Sequence, residues 1–467
     1  MVELLTRITL NDDEKATMGR LVTSWQGHRR ADERLEKYAA GEQRLEQIGL
    51  AVPPELRNFL TIVNWPRVCV DEPVRRLDPR GFVESGQETT SARLREQWEA
   101  NDLDSQAPLL HQEAAVFGRG FVTVGTNEDD PEHPLVTIEP TRQMAHLVDV
   151  RRRRLAALMR SYRDWDGTRR RTLYLPDATI HLVADRNGWT IVERDDHHLG
   201  RVPGVMFLNR RRAGDWWGTS EMADAIPLTD AAARALTNLQ LAQEGLAVPG
   251  RYLFGVDVTK MVDPKTKKPI PTWEAYYTAL MVHSSKDVQA GQFDAANLEN
   301  ITKTVDHYGS LVASVSGLPI RYFVVSTANP AAEGAIRADE SRLIQNAEAK
   351  QLDWGNGWAW VQGLCDRIRP GGEWPEGNRI RTLWHDAATP TYAERADAIS
   401  KMTGGVAILS REGAWDEMGW SEPRKARERE YFRQQENDPW LEAKGPATPQ
   451  TDEDEAGADD ADAAGGR

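Results

Sequence analysis

Between Asp294 and Arg369 the chain lays out an amphipathic helix, a stop, a run of small residues and a longer helix, an order that few folds accommodate. Leu298, Ile301, Val305, Tyr308, Val312 and Val315 recur at steps of three and four, which is an apolar stripe at helical period. Lys303, His307, Ser310 and Ser314 make a polar stripe at the same spacing on another side. Gly317 supplies a residue able to take the left-handed stop, and Pro319 forbids continuation. The segment from Ser326 to Gly334 is small and polar, and from Ala335 a helical pattern resumes with Trp354, Trp358, Val361, Cys365 and Ile368 on one face. Helices of this kind are ordered mainly by packing on something else. A loop braced between two of them is predicted to touch a partner.

The 467 residues exceed what one simple core holds, so two or more domains are expected, and sixteen Trp argue for well-packed cores. The net charge is −14, and seven acids fall within residues 451–467 among Ala and Gly. That tail offers too little apolar surface to offset ordering and is expected to be disordered. Cys69 and Cys365 both sit in apolar patterns and read as buried free thiols. Asn11-Asp-Asp-Glu-Lys15 interrupts the only apolar start, and no run is long enough to span a bilayer, so assembly in a cytoplasm is expected.

Along the chain, residues 10–40, 54–77, 90–102 and 109–116 read as helices. Val136–Ile138, Leu155–Tyr162, Arg171–Leu175, Thr179–Val183 and Trp189–Glu193 read as a β-meander punctuated by Asp164-Trp-Asp-Gly167 and Asp185-Arg-Asn-Gly188. The first part is therefore α+β. A helix follows over 230–247, then strands near 252–254 and 256–258, a basic tip, and short helices over 391–402 and 424–434. Gly118-Arg-Gly120 has the wrong spacing for a dinucleotide fingerprint. His197-His198 lacks partners at metal-ligand spacing, and no metal or cofactor is expected. The run Arg151–Arg154 reads as a solvated face, and an acidic chain disfavours tight DNA binding.

An ordered series of segments resembles the portal proteins of tailed phages that infect Gram-positive and actinobacterial hosts. It comprises Tyr38–Leu45, Asn64-Trp65 with Val70-Asp71, Trp98–Asp104, Ala114–Phe121, Leu199–Pro203 and Asn209-Arg210. It continues through Gly218–Glu221, Leu228–Ala231, Glu244–Arg251, Ser316–Pro319 and Ala335–Ala338 with Glu340. It closes with Asp386, Thr389-Pro390, Ala396-Asp397 and Lys401. The resemblance implies a ring of about twelve subunits at one capsid vertex of the virion, fed with double-stranded DNA by a terminase and joined to a head–tail adaptor.

The resemblance also implies a layout: wing 1–228, stem helix 229–247, small α/β clip 248–296, second stem helix 297–318, tunnel loop 319–334, long wing helix and connector 335–390, helical crown 391–440 and acidic tail 441–467. Ser326, Thr327, Ala328, Asn329, Pro330, Ala331, Ala332 and Glu333 would form the loop tip beside moving DNA. Lys303, His307, Ser310 and Ser314 would face the tunnel. Ile301, Val305, Tyr308, Val312 and Val315 would line the subunit seam. Lys265, Lys267 and Lys268 would meet the terminase large subunit and later the adaptor. Major capsid and scaffolding proteins are further implied partners, and neither a membrane nor an active site is implied. The residues leave two other classes as alternatives: a metal-dependent nuclease or hydrolase with dispersed acids such as Asp195-Asp196, and a monomeric nucleic-acid-binding protein. Deleting residues 451–467 is expected to leave the assembled mass unchanged by light scattering, and loss of assembly would show the tail to be a structural part.

Overall fold

A capping box starts the first helix, α1 (Asp12–Ala40): the Asn11 side chain accepts from the Glu14 amide at 2.8 Å, and the Glu14 carboxylate accepts from the Asn11 amide at 2.9 Å. Gly41, at φ 75°, closes it in the left-handed region. The computed structural model describes residues 10–43, 61–84, 86–87, 89–186, 188–209, 212–247, 251–254, 289–292, 298–324, 333–375, 380–388, 392–404, 407–420 and 422–436. Most of the expected clip, the loop tip before Glu333, the three clip lysines, strand 256–258 and the acidic tail lie outside the described residues. The chain divides after Ala388 into two compact units.

In the first unit α1 is followed by α2 (Trp65–Val74), β1 (Pro79–Val83), α3 (Ala92–Ala100) and α4 (Leu103–Phe117). Then come β2 (Arg119–Gly125), β3 (Leu135–Glu139), β4 (Met144–Asp149), β5 (Arg154–Arg163), β6 (Arg169–Tyr174), β7 (Thr179–Asp185), β8 (Gly188–Asp195) and β9 (Gly204–Leu208). Strands β4 to β8 pair in chain order as an antiparallel meander, and β2 lies between β3 and β9 in a second sheet. Helix α5 (Ile226–Ala247) and strands β10 (Arg251–Phe254) and β11 (Gln289–Gln292), an antiparallel pair, precede α6 (Glu299–Ser316). Helix α7 (Glu333–Ile368) and β12 (Arg381–Trp384) complete the unit, and β12 pairs with β1 across some three hundred residues of chain. The second unit holds α8 (Tyr392–Thr403), α9 (Arg411–Glu417) and α10 (Glu422–Glu436), where Trp415 stacks on Trp420 and Phe432.

The main core explains the pairing of distant segments. Trp98, Leu110, Ala114, Val122 and Phe207 from the first half enclose Trp354, Trp358 and Val361 of α7. Trp358 donates from Nε1 to Nε2 of fully buried His111 at 2.9 Å. A second core packs Leu21, Met18 and Trp25 of α1 on Ala145, Met159, Leu173 and Ile180 of the meander. A third joins α2 (Trp65, Cys69), α5 (Ala232) and α6 (Val312, Ala313) to Phe323 and Leu343. Both cysteines are free and buried, as their apolar surroundings suggest.

The helices read from the sequence are present, with shifted ends: the second is shorter (65–74 within 54–77), and α4 begins six residues earlier and carries Pro108 inside it. Strands β1, β4, β9, β11 and β12 and helix α9 were not foreseen. They are short, and β1, β9 and β12 owe their pairing to partners far away in sequence.

Burial pushes His111 and His146 down to about 3, the Arg119 charge adding to the effect at His146. An unfolded His titrates near ~6.5. The unfolded chain therefore binds protons that the native one refuses, so this contribution to stability is intact above that pH and lost as pH falls toward 3. Each His adds an acid slope of up to about 1.4 kcal/mol per pH unit. His111→Gln, whose amide oxygen still accepts from Trp358, is expected to flatten that slope by about one proton's worth in urea titrations between roughly pH 6 and 5; an unchanged slope would show that His111 takes up its proton in the native state.

Candidate functional site

Helices α5 and α6 pack side by side and stand on α2 through the third core. Gly309 lies where the segment after α6 crosses back over it. A Cβ there would come within 2.8 Å of Val324 Cγ2 and 3.3 Å of the Phe323 carbonyl oxygen, so only glycine permits this approach. Gly317, at φ 72°, ends α6, and Pro319 leads into a single 3₁₀ turn over Ile320–Tyr322. That turn is the near foot of the small-residue loop, and the first turns of α7 are the far foot.

A charged cluster fastens the two feet together. Arg321 pairs with Asp339 at 2.7 Å and with Glu340, which Arg76 of the α2–β1 connection meets at 2.9 Å. The Tyr322 hydroxyl reaches Glu340 at 3.4 Å, and burial, then the Glu340 charge, raises its pKa. Arg76 and Glu340 are only 10% and 15% exposed, so this pair is held largely away from water. Arg76 also donates to the Ala387 carbonyl at 2.7 Å, and Arg342 to the Ser314 carbonyl at 3.2 Å.

Two further polar joints set the root of α5. The Tyr38 hydroxyl donates to Asp230 at 2.7 Å, and burial, then Asp230, pushes it up to about 12. Lys350 of α7 donates to Glu221 at 2.6 Å, to Asn209 at 2.9 Å and to Asn346 at 3.0 Å, all but sealed from solvent. Gly118 and Gly218 touch backbone to backbone beside this joint, where a Cβ on Gly218 would fall 1.9 Å from the Gly118 oxygen.

Along the polar stripe of α6, Lys303, His307 and Ser314 are exposed and Ser310 is half-buried, its hydroxyl bonded to the Asp306 carbonyl at 2.9 Å. Lys303 is neutralised by Glu299 at 2.8 Å, which leaves the face close to neutral. The apolar stripe is not free as a seam. Val312 is fully buried inside the protomer, and Val305 and Tyr308 pack on the same core, because α5 and α2 already cover that side. Ile301 is half-buried, and Val315 at 45% and Leu311 at 36% are what the helix leaves open. Glu333 opens α7, while the rest of the loop tip lies outside the described residues.

Among the described residues no group of His, Cys, Asp and Glu is arranged to hold a metal ion. His197 is half-buried with Nδ1 accepting from the Leu199 amide, and its neighbour His198 is exposed. The Arg76–Glu340–Arg321 cluster escaped sequence reasoning, since its members come from three segments and no periodicity links them. Glu340, Asn209 and Glu221 had appeared only as quoted positions in the ordered series.

Glu340→Gln removes the charge that both arginines share. It is expected to cost about 2 kcal/mol, short of the roughly 3–5 kcal/mol of a fully buried pair. Hydrogen exchange should accelerate at Tyr322, Phe323 and Val324, whose amides close the 3₁₀ turn, while the meander stays protected. Equal acceleration throughout would show that the cluster supports the whole unit and not the loop feet.

The profile of the phage portal protein family, SPP1 Gp6-like, matches residues 31–444. The portal protein of Mycobacterium phage D29 is 36% identical over 396 residues, covering 82% of this chain and 81% of its own. That of Mycobacterium phage L5 is 36% identical over 408 residues, covering 85% and 83%. Among solved structures, a chain from the virion of a native gene transfer agent particle aligns with a TM-score of 0.49 at 12% identity, over 84% of this chain and 93% of its own.

Proposed function

The chain belongs to the SPP1 Gp6-like family of phage portal proteins, and we propose that about twelve copies form a ring at one capsid vertex, through which a terminase packages double-stranded DNA and DNA later leaves. The single observation behind this reading is the family match across residues 31–444, which spans both described units. In this reading the α+β part up to Leu228 is the wing, α5 and α6 are the stem, the segment between them is the clip, α7 returns to the wing, and the second unit is the crown. The protein does no covalent chemistry, and the terminase supplies the energy.

The physical chemistry of α6 supports the stem role. A conduit must not hold what passes through it, and protein–DNA affinity rests mainly on neutralising phosphates. Lys303 is already paired with Glu299, the serines are neutral, and the whole chain is acidic. Such a face lets a duplex slide without sequence preference. The seam between neighbouring stems narrows to Val315 and Leu311, with Ile301 at its edge, because the other stripe residues serve the protomer core. The clip lysines Lys265, Lys267 and Lys268 are assigned to the terminase large subunit and then to the head–tail adaptor. Scaffolding and major capsid proteins would meet the outer wing.

The native mass of the purified chain tests the reading. About twelve times the 52.4 kDa chain mass, with a central hole by electron microscopy, is expected for a portal ring. A chain that stays monomeric even with its scaffolding protein overturns it.

A further inference from the structure

The turn between β5 and β6 carries Trp165 at 94% exposure, more than any other large apolar residue described. A lone exposed apolar side chain is ordinary, but this one stands on a locked turn. The Asp164 and Thr168 backbones are bonded at 2.9 Å, the Gly167 amide donates to the Asp164 carbonyl at 2.9 Å, and Gly167 sits at φ 81°. Asp164 is engaged by Arg170 at 2.7 Å, and Asp166, exposed next to Trp165 in the turn, accepts from the Thr168 amide at 2.8 Å while keeping its charge toward solvent. Arg163 and Arg169 face each other at the base of the turn. The knob is thus preorganised, apolar and acid-tipped.

At the other end of β5 lies an open groove of about 700 Å³ between α7, the segment around Arg201 and the strand β12. Trp360, Trp374 and Ile380 form its apolar walls, and Arg154, Arg201 and Arg381 its charged ones. The Arg201 guanidinium lies 3.6 Å over the Trp360 ring, and burial, then the nearby Arg154 charge, pulls Arg201 down to about 10. No carboxylate among the described residues is bonded to any of these three arginines, and Asp353 lines only a smaller adjoining recess. Aromatic and Arg side chains in a partly desolvated hollow are the composition of an interface hot spot.

We propose that the Trp165 knob of one copy docks into this groove on the next copy around the ring, with Asp166 meeting the arginine wall. The proposal rests on the portal reading. Knob and groove stand at opposite ends of a ten-residue strand, roughly 30 Å apart at a strand's rise per residue. They cannot meet within one subunit, and a contact between two different patches repeats head to tail and closes into a ring when the rotation allows. The acidic tail is the rival occupant. It brings carboxylates for the arginines but only Ala and Gly between them, with nothing to fill the aromatic walls.

The test uses the full-length chain with its scaffolding protein. Trp165→Ala is expected to lower the ring fraction tenfold or more at concentrations where the wild type is half assembled, with unchanged circular dichroism and melting of the subunit. Trp165→Cys combined with Ala359→Cys should give a ladder of disulfide-linked oligomers that neither single variant gives, since Cys69 and Cys365 are buried. Asp166→Arg and Arg381→Asp should each weaken assembly, and together restore part of it. Normal rings from Trp165→Ala, together with no ladder from the double-cysteine variant, overturn the docking while leaving the portal reading intact. Loss of rings on deleting residues 451–467, with Trp165→Ala neutral, gives the groove to the tail and overturns the knob. A wild type that stays monomeric with scaffold overturns both.

Discussion

The burial of Trp354 and Trp358 in a core built by the first half of the chain is the constraint on which the rest depends. Those two indoles are nearly or fully inaccessible, and they are closed in by Trp98, Phe207 and His111. A chain whose late helix must return to its early core has no freedom in what lies between. Helices α5 and α6 and all that connects them become an excursion with both ends fixed.

The joints that hold the excursion are polar and buried, which is a costly choice. Lys350 with Glu221 and Asn209, Arg119 with Asp32, and Arg76 with Glu340 each place charge where water is scarce. Such pairs contribute little net stability, because desolvation offsets most of the attraction. They tolerate no substitute geometry, however, since an orphaned partner is penalised heavily. Apolar packing alone would let a helix settle in several neighbouring registers. Here Lys350 must reach Glu221 and Asn209 at once, and one register of α7 allows it.

Much of this was legible in the sequence. The periodicity of α5, α6 and α7 and the alternation of the meander placed those elements to within a few residues, because their own side chains carry the pattern. The Trp354/Trp358 face was read correctly for the same reason. What was not legible lives in pairing across long separations: β1 with β12, β2 with β9, and the cluster around Glu340. Those elements are four to seven residues long, too short to show a period. Amphipathicity reports that a face of α6 is covered, never by what, and here α2 and α5 cover much of it within the protomer. Several positions in the ordered series, such as Asn209, Glu221, Gly118, Gly218 and Glu340, prove to be joints of the scaffold.

Gly309 gives α6 a further property. The two segments meet there through a missing side chain, with one Val324 methyl and the Phe323 carbonyl closing the gap. Were α6 to shift by a turn in either direction, Val305 or Ala313 would arrive where only a hydrogen fits. An axial shift of the helix would therefore press first on Phe323 and Val324, at the entrance to the loop.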